Sequence, residues 1–411
     1  MNRHILFISS VNLTTNPRIL KEIKLAARQG YKVSFIGFKL GNWTDKIEQL
    51  HIQELQLIVS LYYLDATRTN YTNWLLSSVI EKFNQLIFPF FSGNLKVNSY
   101  AHSKRSFMLL NFLEKKFSQK PNFIIAHTLG TLFPTFIFSQ KNKIPFAFDV
   151  EDYHPGEKIF VDVENEIQRR VFLMKMILPN ATYISCASPL IEQEVNAKIL
   201  NQELHYKSLT INNNFSKKEF LKPSPISTSN KLKLVWFSQN ISSGRGLEYI
   251  LPLLNDFSIE IELTLIGNLN MSFYNEVLCN YQSFIKIEKP LSQTSLHQKL
   301  ADFDIGLAIE MNEADYNRGI ALTNKIIAYY QSGLYILATI TKAQEKFLKE
   351  HNGHGSYFDF YNNDFIDVFF KILKNKDIIH SNKQKRFEKA VNFNWEKESE
   401  KLVSKWDSYL N

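Results

Sequence analysis

At 411 residues the chain has room for two or three domains, each large enough to bury its own core. Its 45% hydrophobic and 21% charged residues are ordinary for a soluble globular protein, and its two distant cysteines, Cys186 and Cys279, exclude a disulfide framework or a zinc site and fit a reducing compartment. The net charge of +8 is uneven: residues 1–143 hold 18 Lys and Arg against 7 Asp and Glu, which reads either as a face for an anionic partner or as a solvated Lys-rich surface.

The first apolar run, residues 5–11, is too short for a secretory signal and reads as a buried strand over 4–10. Asn16 and Pro17 then open a helix, as cap and first helical residue, and Gly30 suits the left-handed position after its end. Strands are expected over 31–38, 123–126, 144–150 and 182–187, with Ser188-Pro189 repeating the cap-then-proline start. Between the first two of these lies WLLSSVIEKFNQLIFPFF, residues 74–91. Leu76, Val79, Ile80, Phe83, Leu86 and Ile87 form one helical stripe there, beside Lys82 and ahead of Lys96, Lys104 and Arg105. The stripe reads either as packing against the first domain or as a membrane-surface face.

Residues 216–231, SKKEFLKPSPISTSNK, are polar and proline-containing and read as a linker. After it the alternation restarts, with strands over 232–237, 261–266, 284–287, 304–309 and 335–338. Two doubly wound α/β domains result, facing a cleft in which ligands sit at strand C-terminal ends. The domains are expected at 1–215 and 232–393, and 394–411 is an amphipathic helix with Trp395, Leu402, Trp406 and Leu410 on its apolar side. No run of 18 apolar residues occurs to span a bilayer.

Three blocks carry chemistry. FDVEDYHPGE at 148–157 places Glu151, Asp152 and His154 just beyond a strand end, and His127 ends the preceding strand. Carboxylates and an imidazole there suit a base, a charge stabiliser or an acceptor ligand, against the plain alternative of a polar loop. WFSQNISSGRG at 236–246 follows the first strand of the second domain. Its Gly244 and Gly246 let backbone approach a ligand, and Arg245 can grip phosphate oxygens. The third block runs from Ala301 to Thr339. A strand ends at Glu310, a helix follows that Thr323 can cap, and Asn324 and Lys325 add a donor and a charge where helix N–H groups favour a diphosphate. The alternative is an ordinary crossover. Asp302 and Asp304 form a DxD that runs straight into a strand, so it is read as part of the sheet and no metal site is expected.

Together these blocks resemble the retaining GT-B glycosyltransferases of family 4 over nearly the whole chain. Asn16-Pro17-Arg18-Ile19 is similar to the family's NPR-type opening, and FDVEDYHPGE to its acidic loop. SSGRG is similar to its phosphate turn, and LTNKIIAYYQSGLYILAT to its donor helix and next strand. The family's usual pair of glutamates on the donor helix falls here on Ile320 and Ala328, Asn240 stands where the first basic residue of the phosphate turn is usual, and Glu151 where the acidic loop has its His.

The resemblance implies a GT-B fold of two Rossmann-like domains and a metal-independent hexosyl transfer with retention, with no cofactor beyond the nucleotide-sugar donor. It implies donor contacts from Asn240, Gly244, Arg245, Glu310, Thr323, Asn324 and Lys325, catalytic roles for Glu151, Asp152 and His154, and acceptor-side roles for Asn16, Arg18 and His127. The partners expected are a nucleotide sugar, a glycan or lipid-linked acceptor of cell-surface polysaccharide or glycoconjugate assembly, and an anionic membrane surface. Nucleic acid is not expected, since no recognised binding motif accompanies the charge. The place of work is the cytoplasm or the inner face of its membrane. A catalytically silent GT-B subunit and a GT-B sugar-nucleotide epimerase are the alternatives.

Overall fold

The computed structural model describes residues 3–223, 231–311, 315–362 and 364–410. The chain divides into two compact units, one of residues 1–211 with 401–411, the other of residues 212–400. The first unit is built on a parallel sheet of seven strands: β1 His4–Ser9, β2 Lys32–Lys39, β3 Val59–Asp65, β4 Phe123–His127, β5 Phe146–Val150, β6 Ile184–Cys186 and β7 Ser208–Thr210. Their order is β3-β2-β1-β4-β5-β6-β7. Every residue of β1, β4 and β5 is buried, as helices on both faces of a parallel sheet require. The chain runs β1 to β2 on one side and continues at β4 on the other, so a topological switch point lies where β1 and β4 end.

The second unit holds a parallel sheet of β8 Leu232–Ile241, β9 Ile261–Leu269, β10 Ile285–Glu288, β11 Ile305–Ala308, β12 Tyr335–Thr339 and β13 Gly355–Phe358. Its order, β10-β9-β8-β11-β12-β13, puts a second switch point between β8 and β11. The strand period of two divides the apolar residues between faces. Leu234, Leu307 and Leu337 enter one core cluster, and their neighbours Val235, Ala308, Ile336 and Ala338 enter the other.

The helix starts follow their sequence signals. Asn16 Oδ1 accepts from the N–H of Ile19 at 3.1 Å, and Ser188 Oγ from that of Ile191 at 3.2 Å, each ahead of a proline. Gly30 has φ +81° after the helix Pro17–Arg28, as the left-handed position demands. Strands β3, β7 and β13, which hydropathy did not single out, are all edge strands of their sheets. An edge strand is covered less completely and carries a weaker apolar run. Of the linker expected over 216–231, residues 224–230 lie outside the described residues; Lys217–Glu219 forms one 3-10 turn.

The helix expected near 74–91 spans Tyr71–Ile87, followed by a 3-10 turn Phe88–Phe90. Most of its stripe does not pack inward, although Ile80 and Ile87 are half-buried. Leu76, Val79, Phe83 and Leu86 are exposed, and the helix buries Ser77 and Asn84 instead. Periodicity shows that a stripe exists but not which way it faces. Among the described residues, no helix is long and apolar enough to cross a membrane.

The C-terminal helix Trp395–Leu410 begins in the second unit and ends in the first. Trp406 is fully buried in the first unit, edge-on to Phe7 and Tyr31, with its indole N–H donating to Tyr183 Oη at 2.9 Å. Trp406→Ala is expected to destabilise that unit by about 3–5 kcal/mol, read as a lower urea midpoint in the transition reporting its unfolding.

Candidate functional site

In the first unit, four charged side chains from three segments, Arg18 and Glu22 of the first helix, His127 of β4 and Asp149 of β5, meet at the ends of β4 and β5. Arg18, one residue inside its helix, is fully buried. Its Nε and Nη2 donate to the two oxygens of Asp149 on β5 at 2.7 and 2.8 Å, and Nη1 donates to the carbonyl of Ile211 at 2.6 Å. Ser185 Oγ donates to Asp149 Oδ1 at 2.5 Å. His127, at the end of β4, lies between two carboxylates, with Nε2 3.4 Å from Glu22 and Nδ1 3.5 Å from Asp149. Burial opposes protonation of His127, but Glu22 and Asp149 outweigh it and raise its pKa. Burial likewise opposes ionisation of Asp149, yet Arg18 and His127 hold its carboxyl below the usual value.

Glu22, His127 and Asp149 offer metal-ligand atoms within 4.8 Å of one another. The donor set fits an ion-pair network better than a cation cradle. Arg18 takes both oxygens of Asp149, and its charge with that of a protonated His127 balances the two carboxylates, so a dication would add uncompensated charge beside a buried guanidinium.

Glu151 sits directly above this cluster in sequence and is partly covered. Burial, then Asp152 and Asp149, push its carboxyl up to about 7. His154 belongs to a different network. Its Nδ1 lies 3.1 Å from Glu157, and its carbonyl accepts from Arg170, which also binds Glu157 and Glu166. Glu166 further contacts His102 at 2.5 Å and Arg169 at 2.9 Å. Burial opposes its ionisation, but these partners hold it at about 2. The acidic loop is thus anchored at both ends, and Glu151 and His154 are separated into two environments. Asn16 and Arg18, expected on the acceptor side, are both buried.

One residue at this switch point carries backbone strain. Thr128, directly after His127, has φ +70°, a left-handed value that a β-branched residue rarely adopts. Ser10 holds it there, its N–H donating to Thr128 Oγ1 at 3.0 Å, and Arg105 binds the carbonyl of Ser10 at 2.7 Å. Nothing in the local sequence announces Thr128. Glu22 was findable, since it lies four residues beyond Arg18 on one helix face.

In the second unit the turn 242–246 leads into the helix Leu247–Asn255. Gly244 and Gly246 have φ of +75° and +84°. A Cβ on Gly246 would stand 2.4 Å from Ile309 Cγ2, so only glycine lets this turn close against the end of β11. The next residue, Glu310, accepts from Lys325 Nζ at 2.8 Å, and Lys325 lies 5.8 Å from the ring of Trp236, midway along β8. The switch point therefore gathers Gly246, Glu310 and Lys325. Arg245 is half-exposed on the turn, and Asn240 is exposed.

Thr323 occupies the N-cap position of the helix Asn324–Gln331, but its hydroxyl makes no capping bond and, among the described residues, has no hydrogen-bond partner, contrary to the cap expected. Asn324 Oδ1 accepts from Asn213 at 3.0 Å. Ile320 and Ala328 are buried and apolar. Asp304 accepts from the N–H of Lys233 at 2.8 Å and lies 3.0 Å from His380, at the N-terminal end of β11 and thus away from the switch point. Asp304 is a brace for the sheet.

Neither protein-family models nor curated proteins match the sequence. Solved structures do match over essentially the whole chain. The N-terminal domain of Candida albicans trehalose-6-phosphate phosphatase aligns with a TM-score of 0.65 at 10% identity, covering 100% of this chain and 97% of that one. The lipopolysaccharide outer core galactosyltransferase WaaB, in its apo form, gives 0.61 at 11%, covering 98% and 99%. Anabaena Alr3699/HepE in complex with UDP-glucose gives 0.60 at 13%, covering 98% and 99%. The fold is GT-B. At such identities the likeness carries the GT-B architecture alone, and residue roles rest on the geometry above.

A carboxyl raised in the folded state stays protonated where its unfolded counterpart has ionised. The Glu151 contribution is therefore complete below its unfolded pKa near 4.5 and is lost as pH rises to about 7. Relative to Glu151→Gln, the native chain should lose up to about 1.4 kcal/mol per pH unit across that window and no more above it. Urea unfolding at stepped pH checks this.

Proposed function

We propose that this chain is a glycosyltransferase that moves a hexosyl group from a nucleoside diphosphate sugar, with retention, to a glycan or lipid-linked acceptor in cell-surface polysaccharide or glycoconjugate assembly. The carrying observation is the switch point of the second sheet, where Gly246 closes the phosphate-type turn beside the Glu310–Lys325 ion pair. An Arg on that turn, a Lys and an uncapped helix start are the groups a diphosphate needs. The ligand of one similar structure, UDP-glucose, agrees with this chemistry.

In this reading Arg245, Lys325 and the N–H groups after Thr323 stabilise the diphosphate as negative charge develops on its departure. Glu310 holds Lys325 in place, and Asn240 and Asn324 add side-chain donors. A metal is not required, because these fixed positive groups face the charge that a cation would otherwise neutralise. Glu151 supplies a carboxylate that titrates near neutrality and suits the acceptor hydroxyl. Asp152 raises that pKa, and His154 steadies the loop. The first unit receives the acceptor, at the inner face of a membrane when the acceptor is lipid-linked.

A second reading, a catalytically silent subunit, draws on Ile320 and Ala328, which place buried apolar groups where the resembling family has carboxylates. Donor hydrolysis separates the two. A transferase slowly hydrolyses one of a panel of UDP- and GDP-sugars, and a silent subunit hydrolyses none. Arg245→Ala should weaken donor affinity about 10- to 100-fold, the worth of a hydrogen bond to a charged group, while leaving thermal stability unchanged because Arg245 lies on a half-exposed turn. Calorimetry with unchanged affinity would overturn the phosphate assignment. Turnover should also survive EDTA, and loss of activity restored by Mn²⁺ would contradict the metal-free reading.

A further inference from the structure

The 71–87 helix is built inside out. Tyr71, Leu75, Val79, Phe83 and Leu86 repeat at helical spacing along one face, Leu76 widens it, and these six are 42 to 75% exposed. Phe90 and Phe91 extend the face past the helix end and are also exposed. The inward face is polar. Ser77 and Asn84 are buried and donate to the helix's own carbonyls, of Trp74 and Ile80. Glu81 accepts from the N–H of Lys104, and Gln85 donates to the carbonyl of Ala101. The polar side is thus used within the unit, and among the described residues nothing covers most of the apolar side. A second apolar group, Phe160, Val161 and Val163, is exposed beside Asp162. Arg169 ties the two segments together from within, its guanidinium 4.9 Å from the ring of buried Phe88 and 2.9 Å from Asp162.

Monomeric proteins rarely leave such a contiguous patch in water. The flanking chemistry says what covers it. Residues 66–116 contain seven Lys and Arg against two Asp and Glu. Lys82 is exposed beside Phe83, Lys96 is exposed beyond the helix, and Arg68 and Lys104 stand 5.3 and 5.4 Å from the Trp74 ring. An apolar stripe fringed by cations, with Tyr71 and Trp74 at one end, matches acyl chains below anionic headgroups.

We propose that this face, from Tyr71 to Phe91 with Phe160, Val161 and Val163, docks the first unit on an anionic lipid bilayer. It gives a lipid-linked acceptor its place of encounter and rests on the reading above for that purpose only. Vesicle binding needs neither donor nor turnover, so the two readings fail separately.

The test is co-sedimentation of the full chain with vesicles of phosphatidylcholine alone or containing phosphatidylglycerol, at low and high salt. Binding is expected to the anionic vesicles, and to fall as the Debye length shortens from about 10 Å at 0.1 M to about 3 Å at 1 M salt. Phe83→Ser combined with Leu86→Ser should reduce partition about tenfold or more, with unchanged far-UV circular dichroism, melting temperature and donor affinity. Recovery in the supernatant under every condition overturns the proposal, as does undiminished binding of the double variant. A chain that binds no vesicle but self-associates in sedimentation velocity, and loses that association in the double variant, assigns the face to a second copy instead.

Discussion

The first unit depends on one buried ion pair. Arg18 and Asp149 come from residues 131 positions apart, and the third donor of the guanidinium reaches the carbonyl of Ile211, where the unit's main run of chain ends. Removing either partner would strand a charge out of water, a loss of about 3–5 kcal/mol. The pair therefore fixes the first helix, the end of β5 and the last strand region relative to one another. It also sets the field above it. Asp149 stays ionised because Arg18 grips it, and that retained charge helps keep Glu151 protonated two residues further on. The pair's own effect on Glu151 is divided: burial and Asp152 do more to raise that carboxyl, Asp149 adds to them, and Arg18 opposes it.

The second unit solves a different problem, bringing backbone close to a strand end. Gly246 does this by lacking a side chain where Ile309 presses in, and Gly306 does the same under the Tyr329 ring, where a Cβ would come within 2.3 Å. The ring packs across β11, and its hydroxyl donates to the carbonyl of Val235 at 3.3 Å. The helix Asn324–Gln331 is thereby seated on the sheet with Lys325 at its exposed start. Packing and charge placement are one constraint here.

The alternation of strands and helices was legible because central parallel strands must be apolar on both faces, as in residues 4–9, 123–127 and 146–150. Proline-following caps at Asn16 and Ser188 and the left-handed Gly30 were legible because each satisfies a local backbone need. The edge strands β3, β7 and β13 were not, since partial cover dilutes their apolar signal. The blocks at 148–157, 236–246 and 301–339 do lie at strand ends, but the sequence was silent on how they divide. It could not separate Glu151 from His154, pair Glu22 with His127 across 105 positions, or signal the strained Thr128. These depend on long-range contacts with no local pattern. The direction of the 71–87 stripe was equally hidden, because a period has no sign.

The first unit also has a consequence for how the chain is made. Its core takes in Trp406, which closes over Phe7, Tyr31 and Tyr183. During synthesis those residues leave the ribosome long before Trp406 exists. Nearly 190 residues of the second unit must be added first, which takes about 10 to 40 seconds at 5–20 residues per second. For that interval the nascent first unit presents an aromatic seam at the helix-docking side of β1. The second unit, continuous from residue 212 to 400, can complete its own core before the first does. The seam on the half made first therefore stays open until the last stretch of chain is made.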